Sequence, residues 1–250
     1  MLKALDGILL VDKPAGWTSH DVVAKVRSTL RQAQSLKPKA KSQDKKLLAS
    51  SSQLPARAPK VRVGHTGTLD PAATGLLILV LGKYTKRASE FSKLDKTYET
   101  EVILGKTSST GDSEGEIVQK SDNRPSLEQV EEVLHTFLGE ISQTPPAFSA
   151  IKVDGQRAYK LARQGKEVKL EPRKVTIYEI SGIQYKYPKL SFSTSVSSGT
   201  YIRSLAADIG AKLGTGAHLS SLRRTKVGQY SVKQATRIDK ISINDIIIQV

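Results

Sequence analysis

The chain contains no cysteine, so a disulfide framework and a thiolate metal site are both excluded. Its four histidines, at positions 20, 65, 135 and 218, lie too far apart for a local metal motif. Aromatics make up only 5% of the 250 residues, with one Trp, and there is a single Met. No apolar run approaches the length of a membrane span, and the N-terminus carries no apolar core with a cleavage signature. A protein without a membrane, located in the cytoplasm, is the expectation. Nucleotide-cofactor signatures are missing as well: no GxGxxG follows a strand, and Gly75 to Lys83 has the wrong spacing for a Walker loop. Acidic residues are in short supply, 24 against 39 basic ones, for a net charge of +15. That imbalance points to a polyanionic partner, most simply nucleic acid.

Residues 31–60 hold eight basic side chains against Asp44, which is +7 of the +15 and leaves +8 for the remainder. Basicity is therefore a property of the whole chain. The segment breaks all periodicity with Ser, Lys, Pro, Gln and Ala, and reads as a mobile basic insertion. Elsewhere the pattern is regular. Residues 8–11 read as a short strand, followed by a helix capped at Thr18 or Ser19 with Val22, Val23, Val26 and Leu30 on one face. Leu76 to Leu81 is a continuous apolar run, the mark of a buried strand, while Tyr98 to Leu104 alternates. Ser126 and Gln129 form a capping box for a helix through Leu138. Asp154-Gly155 signals a hairpin turn before a short basic helix over 157–163. Residues 173–185 and 189–197 read as paired strands, and 201–213 as a helix. Strands and helices interleave without the alternation of a doubly wound sheet, so the fold class is α+β.

One loop stands out for chemistry. Gly64-His65-Thr66-Gly67-Thr68-Leu69-Asp70-Pro71-Ala72-Ala73-Thr74-Gly75 places a single carboxylate between glycines and a proline, ahead of the apolar run. The residue before proline is held extended, and glycines allow tight turns and close approach. A lone acid on such a platform suits a nucleophile or general base; an aspartate bonding its own turn is the alternative. The GxxG at Gly64 to Gly67 also fits a KH module, but its flanks do not read helix–loop–helix.

This loop resembles the catalytic motif of the pseudouridine synthases, specifically the TruB branch that modifies the T loop of tRNA. Other stretches match in the same order: Gly7 to Pro14 with Gly16 and Thr18-Ser19, Lys96-Thr97-Tyr98-Glu99, and Thr110 to Gly115. Gln143 to Lys152, Gly199 to Leu205, and Leu219 to Arg224 complete the set. The resemblance implies a pseudouridine synthase fold, a mixed and mainly antiparallel sheet flanked by helices with the active-site cleft across it. It implies isomerisation of the T-loop uridine at tRNA position 55 by base flipping, with no metal or cofactor. Asp70 would be the catalytic aspartate, either attacking C1′ or removing the C2′ proton to give a glycal. Arg203 would pair with it, and Tyr98 would stack on the uracil near C5. Tyr201 and Leu222 would line the pocket, and His65 would enter the T loop in place of the extruded nucleotide. Lys13, Lys86, Lys152, Arg223 and Arg224 would contact phosphates, and Asp112 would help fix the active-site loops. The expected partner is the T arm of tRNA and the expected state a monomer. Residues 1–250 are expected to form one catalytic domain without a clear C-terminal RNA-binding domain of the PUA type. A non-catalytic tRNA chaperone and a synthase acting on other RNAs are the competing readings.

Overall fold

The computed structural model describes residues 5–35 and 61–246; the larger part of the basic insertion, 36–60, lies outside the described residues. Strand β1 (Gly7–Lys13) leads into helix α1 (Ser19–Ser35), followed beyond the insertion by β2 (Val63–His65) and β3 (Thr74–Leu81). A single-turn helix α2 (Ala88–Ser92) precedes β4 (Lys96–Leu104) and the hairpin of β5 (Lys106–Ser108) with β6 (Ile117–Gln119). Helix α3 (Leu127–His135) and β7 (Gly139–Gln143) come next, then the small hairpin β8 (Lys152–Val153) and β9 (Gln156–Arg157), and α4 (Ala158–Arg163). The long strands β10 (Arg173–Lys186) and β11 (Lys189–Val196) precede α5 (Ile202–Lys212) and β12 (Ala217–Val227). Two short strands, β13 (Tyr230–Ser231) and β14 (Thr236–Arg237), follow.

Ten strands build one sheet in the order β14-β1-β3-β12-β4-β11-β10-β7, with β13 on β12 and β2 on β3. Only β1/β14 and β3/β12 run parallel; every other pairing is antiparallel. The expected α+β class and mainly antiparallel sheet are what the chain adopts. Alternation sets the faces. On β4, Tyr98, Thr100, Val102 and Leu104 are buried while Thr97, Glu99, Glu101 and Ile103 are more open. The buried set packs against Ile202, Leu205 and Ile209 of α5, with Val130 and Leu134 of α3 in the same core. Val22, Val26 and Leu30 of α1 cover Leu77, Leu79 and Leu81 of β3 in a second core. The opposite face of β3, through Leu76, Ile78 and Val80, meets Phe91 and Tyr230.

Two helix ends differ from the sequence reading by more than two residues. Helix α1 does not stop at Leu30 but continues to Ser35, because Gln and Ala are adequate helix formers once nucleation is secured by the packed turns before them. Helix α3 opens on the Ser126–Gln129 capping box but ends at His135, three residues early. There Thr136 turns its hydroxyl onto the Val133 carbonyl, and Gly139 starts β7 with a positive φ of 90°.

Candidate active site

The position of Asp70 follows from how β3 is shared. Along one edge β3 pairs throughout with β1; along the other, β2 pairs with its end and β12 with its start. The loop 66–73 therefore leaves the sheet where β2 stops and lands beside β12. Gly75 permits that crossing: its φ is 101°, and a Cβ there would run into the Arg224 backbone of β12.

Buried donors pin the loop from below. The Ser19 hydroxyl at the start of α1 accepts from Leu69 N (2.9 Å) and donates to Leu69 O (3.1 Å). Lys13 is fully buried and donates to the carbonyls of Pro14 (3.0 Å), Trp17 (2.6 Å) and Pro71 (3.1 Å). Burial lowers its ammonium to about 8, while Asp70 and Glu114 pull the other way. Arg224, also buried, donates to Leu76 O (2.8 Å), Gly67 O (3.2 Å) and Thr68 O (3.4 Å), so it holds the loop on both sides of Asp70. These two cations correct the expectation of phosphate contacts at Lys13 and Arg224. Each is removed from solvent and spends its N–H groups on carbonyls, which an incoming phosphate would have to displace.

Above the loop, Arg203 reaches from the first turn of α5 and places Nε 3.1 Å from Asp70 Oδ2. Its own side chain is 7% exposed against 39% for Asp70, so the arginine is the fixed partner and the carboxylate the accessible one. Arg203 Nη1 donates to Thr110 O (2.9 Å) and lies 3.6 Å from Asp112 Oδ2, while Nη2 donates to Phe148 O (2.7 Å). Asp112 is in turn held by the Thr110 hydroxyl (2.6 Å) and Glu114 N (3.1 Å). Desolvation pushes the Asp70 carboxyl above the ordinary aspartate range and Asp112 adds to that push; Arg203 and Lys13 oppose it. Asp70, Asp112 and Leu222 line a pocket of about 20 Å³, with Leu219, Ser220 and Ser221 of β12 as its floor. That is room for about one or two waters.

The remaining expected residues fall into three groups. Leu222 joins the two larger cores as well as lining the pocket, and Tyr201, at the N-cap of α5, is half-buried. Burial raises the Tyr201 hydroxyl, with Arg203 and Asp70 both within electrostatic reach. Tyr98 is 7% exposed in the core that Leu222 packs on, beside Arg224 in the β12 register. No hydrogen bond among the described residues joins it to Asp70. His65 ends β2 with its ring 5.2 Å from His20 in an edge-on contact and its Nδ1 buried without a partner. Burial, His20 and Arg224 all lower its pKa, which keeps the ring neutral. Lys86 and Lys152 are exposed and apart from the pocket lining. Arg223 forms a two-point pair with Asp12 (3.1 and 2.8 Å), pointing away from the Asp70 pocket.

The sequence reading took Ser19 only as a candidate helix cap and gave no role to Gln143, whose buried amide oxygen accepts from Tyr201 N (2.8 Å) and so fixes the start of α5. A glutamine closing a strand just before Thr-Pro-Pro was the available signal. Among the described residues no helix is long and apolar enough to cross a membrane, and no group of three or more His, Asp and Glu side chains could hold a metal.

Comparison with known proteins fits this geometry. A model described as TruB family pseudouridylate synthase (N terminal domain) matches residues 56–202. A second, tRNA pseudouridylate synthase B C-terminal domain, matches 203–246. The division falls inside α5, and β12 from the second part is the central partner of β3 and β4 from the first. tRNA pseudouridine synthase B of Thermobifida fusca is 41% identical over 249 residues, which covers 95% of this chain and 74% of that one. Its Aquifex aeolicus counterpart is 40% identical over 238 residues, covering 94% and 73%. Among solved structures, an H/ACA RNP bound to a substrate RNA containing 2′-deoxyuridine superposes with a TM-score of 0.63 at 25% identity. It covers 96% of this chain and 53% of that chain. A Cbf5-Nop10-Gar1 complex gives 0.63 at 26%, covering 94% and 54%, so this chain spans about half the length of those proteins.

Proposed function

The chain belongs to the TruB family of tRNA pseudouridine synthases, and from that premise we propose that it isomerises the T-loop uridine at tRNA position 55 to pseudouridine. The observation that carries this reading is the Asp70–Arg203 pair, whose carboxylate lines a pocket built on β12. In the reaction the N1–C1′ bond breaks, the uracil turns, a C5–C1′ bond forms, the C5 proton leaves to water and N1 takes up a proton in its place. The product is an isomer of the substrate with no net change of oxidation state, so no external redox partner is called for. The uridine must first leave its stack, at a cost of a few kcal/mol.

Asp70 is the carboxylate presented to the sugar, and Arg203 orients it and favours its ionised form. The guanidinium is pre-organised by Thr110 O and Phe148 O, so little freedom is lost when substrate arrives. Leu222 lines the pocket on the side of the base; Tyr201, which is outside that lining, and Tyr98 would bring aromatic faces to the uracil once the site opens. His65, neutral and edge-braced by His20, offers a flat ring to the T loop. Arg223, Lys86 and Lys152 add phosphate contacts, which set register rather than sequence preference. The chain acts as a single catalytic domain and a monomer, in the cytoplasm, without metal or cofactor. About 40% identity to proteins named tRNA pseudouridine synthase B, against 25% to the H/ACA RNP chain, favours tRNA over an RNA-guided substrate.

The decisive experiment supplies T-arm RNA tritiated at uridine C5 and measures tritium released to water. The parent should release it; Asp70→Asn should release it at least about a hundredfold more slowly. A carboxyl whose folded pKa is raised contributes stability when protonated, and that contribution is lost as pH rises through the raised value. At neutral pH Asp70→Asn should therefore melt no lower than the parent. Equal release by the two proteins would refute the assignment; a lower melting point would show that Asp70 is structural.

A further inference from the structure

A groove of about 450 Å³ opens at the ends of β1 and β14 and the start of β3, beside the Asp70 loop but on the other face of β12. Pro14 and Ile238 give it apolar surface, and Asp12, Asp239, Lys13, Thr74, Arg223 and Arg237 supply its polar groups, three cations against two carboxylates. The volume lies within the range of small-ligand sites. The loop chemistry described above does not use it.

Its polar groups are arranged in order. Asp12 and Arg237 are direct neighbours in the parallel β1/β14 register. Asp12 grips Arg223 at two points, and Arg223 Nη1 also lies 3.4 Å from the Thr74 hydroxyl. Arg237 gives only Nε to Asp239 (3.3 Å) and remains 71% exposed. One guanidinium is therefore fixed in orientation and the other is free to turn, on either side of a carboxylate. A fixed guanidinium loses little entropy on binding, and exposed ion pairs exchange partners cheaply.

Apolar floor, guanidinium rim and a carboxylate acceptor together match a nucleotide. A base can lie on Pro14 and Ile238, a phosphate can meet Arg237, and Asp12 can accept from an exocyclic amine or ribose hydroxyl. The groove is also tied to the reaction site through shared structural bonds. Thr74 bonds the Leu222 carbonyl (3.5 Å), Leu222 lines the Asp70 pocket, and Lys13 lines the groove while holding Pro71 beneath the loop. We propose that this groove is a second nucleotide site, which takes a ribonucleotide of the substrate RNA flanking the target uridine. This rests on the reading of the chain as an enzyme of T-arm RNA.

The test uses the full chain and a fluorescent T-arm stem–loop, intact or carrying one abasic residue at a time around the target. Arg237→Ala should weaken binding of the intact RNA about tenfold, while Lys186→Ala, at the far end of the sheet, should not change it. One flanking abasic residue should weaken the parent by a similar factor and Arg237→Ala far less, because both changes remove the same contact. Unchanged affinity in Arg237→Ala overturns the proposal. So does a series in which protein and RNA changes multiply at every position, since Arg237 would then act only as diffuse charge. Tritium release by the parent keeps the two readings apart: intact release with an unaffected Arg237→Ala sinks the groove alone, and a parent that binds no T-arm RNA sinks both.

Discussion

Strands β3 and β10 belong to one sheet and are held in opposite ways. On β3, every residue from Leu76 to Leu81 is at most 1% exposed, with α1 against one face and Phe91 and Tyr230 against the other. On β10 only Val175 and Ile177 are buried, and the register slips twice against β11. A strand covered on both faces has no cheap way to shift, because every side chain would have to leave a packed site. The carboxylate loop grows from β3, and Arg203 comes from α5, which packs on the same central strands. The carboxylate proposed to react is mounted on a strand covered on both faces, and the loosely held strands form the far rim.

Leu79→Ala should break that rigidity most severely. Removing a fully buried side chain from β3 is expected to cost about 2–5 kcal/mol in urea unfolding, and a smaller loss would mean that α1 collapses onto the gap. Next comes Arg203→Lys. An ammonium keeps the charge but cannot reach Asp70, Thr110 O and Phe148 O as one planar fork. Tritium release should fall about a hundredfold with T-arm affinity nearly intact; full turnover would dismiss the pairing. Tyr178→Ala, on the exposed side of β10, should change stability by no more than about 0.5 kcal/mol. A large loss there would erase the contrast between the two strands.

That contrast also explains what could be read from the sequence. The β3 run and the β4 alternation are direct records of burial on two faces and on one, so both strands were legible. The capping box of α3 and the Asp154-Gly155 turn are local chemistry, and both appear where expected. Helix ends were less legible, since Thr136 and the residues after Leu30 are decided by weak local competition. Asp70 and Arg203 were found through resemblance of their motifs. Nothing in the spacing of positions 70 and 203 reveals that β12 steps in where β2 leaves β3. The burial of Lys13 and Arg224 was hidden for the same reason: a cation's exposure depends on carbonyls supplied by distant segments. Arg223 and Arg224 are adjacent and chemically identical, yet pleating sends one to the groove and the other beneath the loop.

The finest distinction concerns Asp112, which lies near Arg203 and Asp70 together and acts on them with opposite signs. Its negative charge helps hold the guanidinium, yet it raises the Asp70 pKa by like-charge repulsion. In the proposed reaction Asp70 acts in its ionised form, so the acid limb of turnover should follow its pKa and lie above the range of an ordinary aspartate. Asp112→Asn removes one upward push and leaves Arg203 with Asp70, Thr110 O and Phe148 O. The limb should then move to lower pH, while the plateau rate drops only as far as Arg203 loosens. Movement to higher pH would mean that Asp112 serves Asp70 chiefly by steadying the arginine, with the direct repulsion the weaker of its two effects.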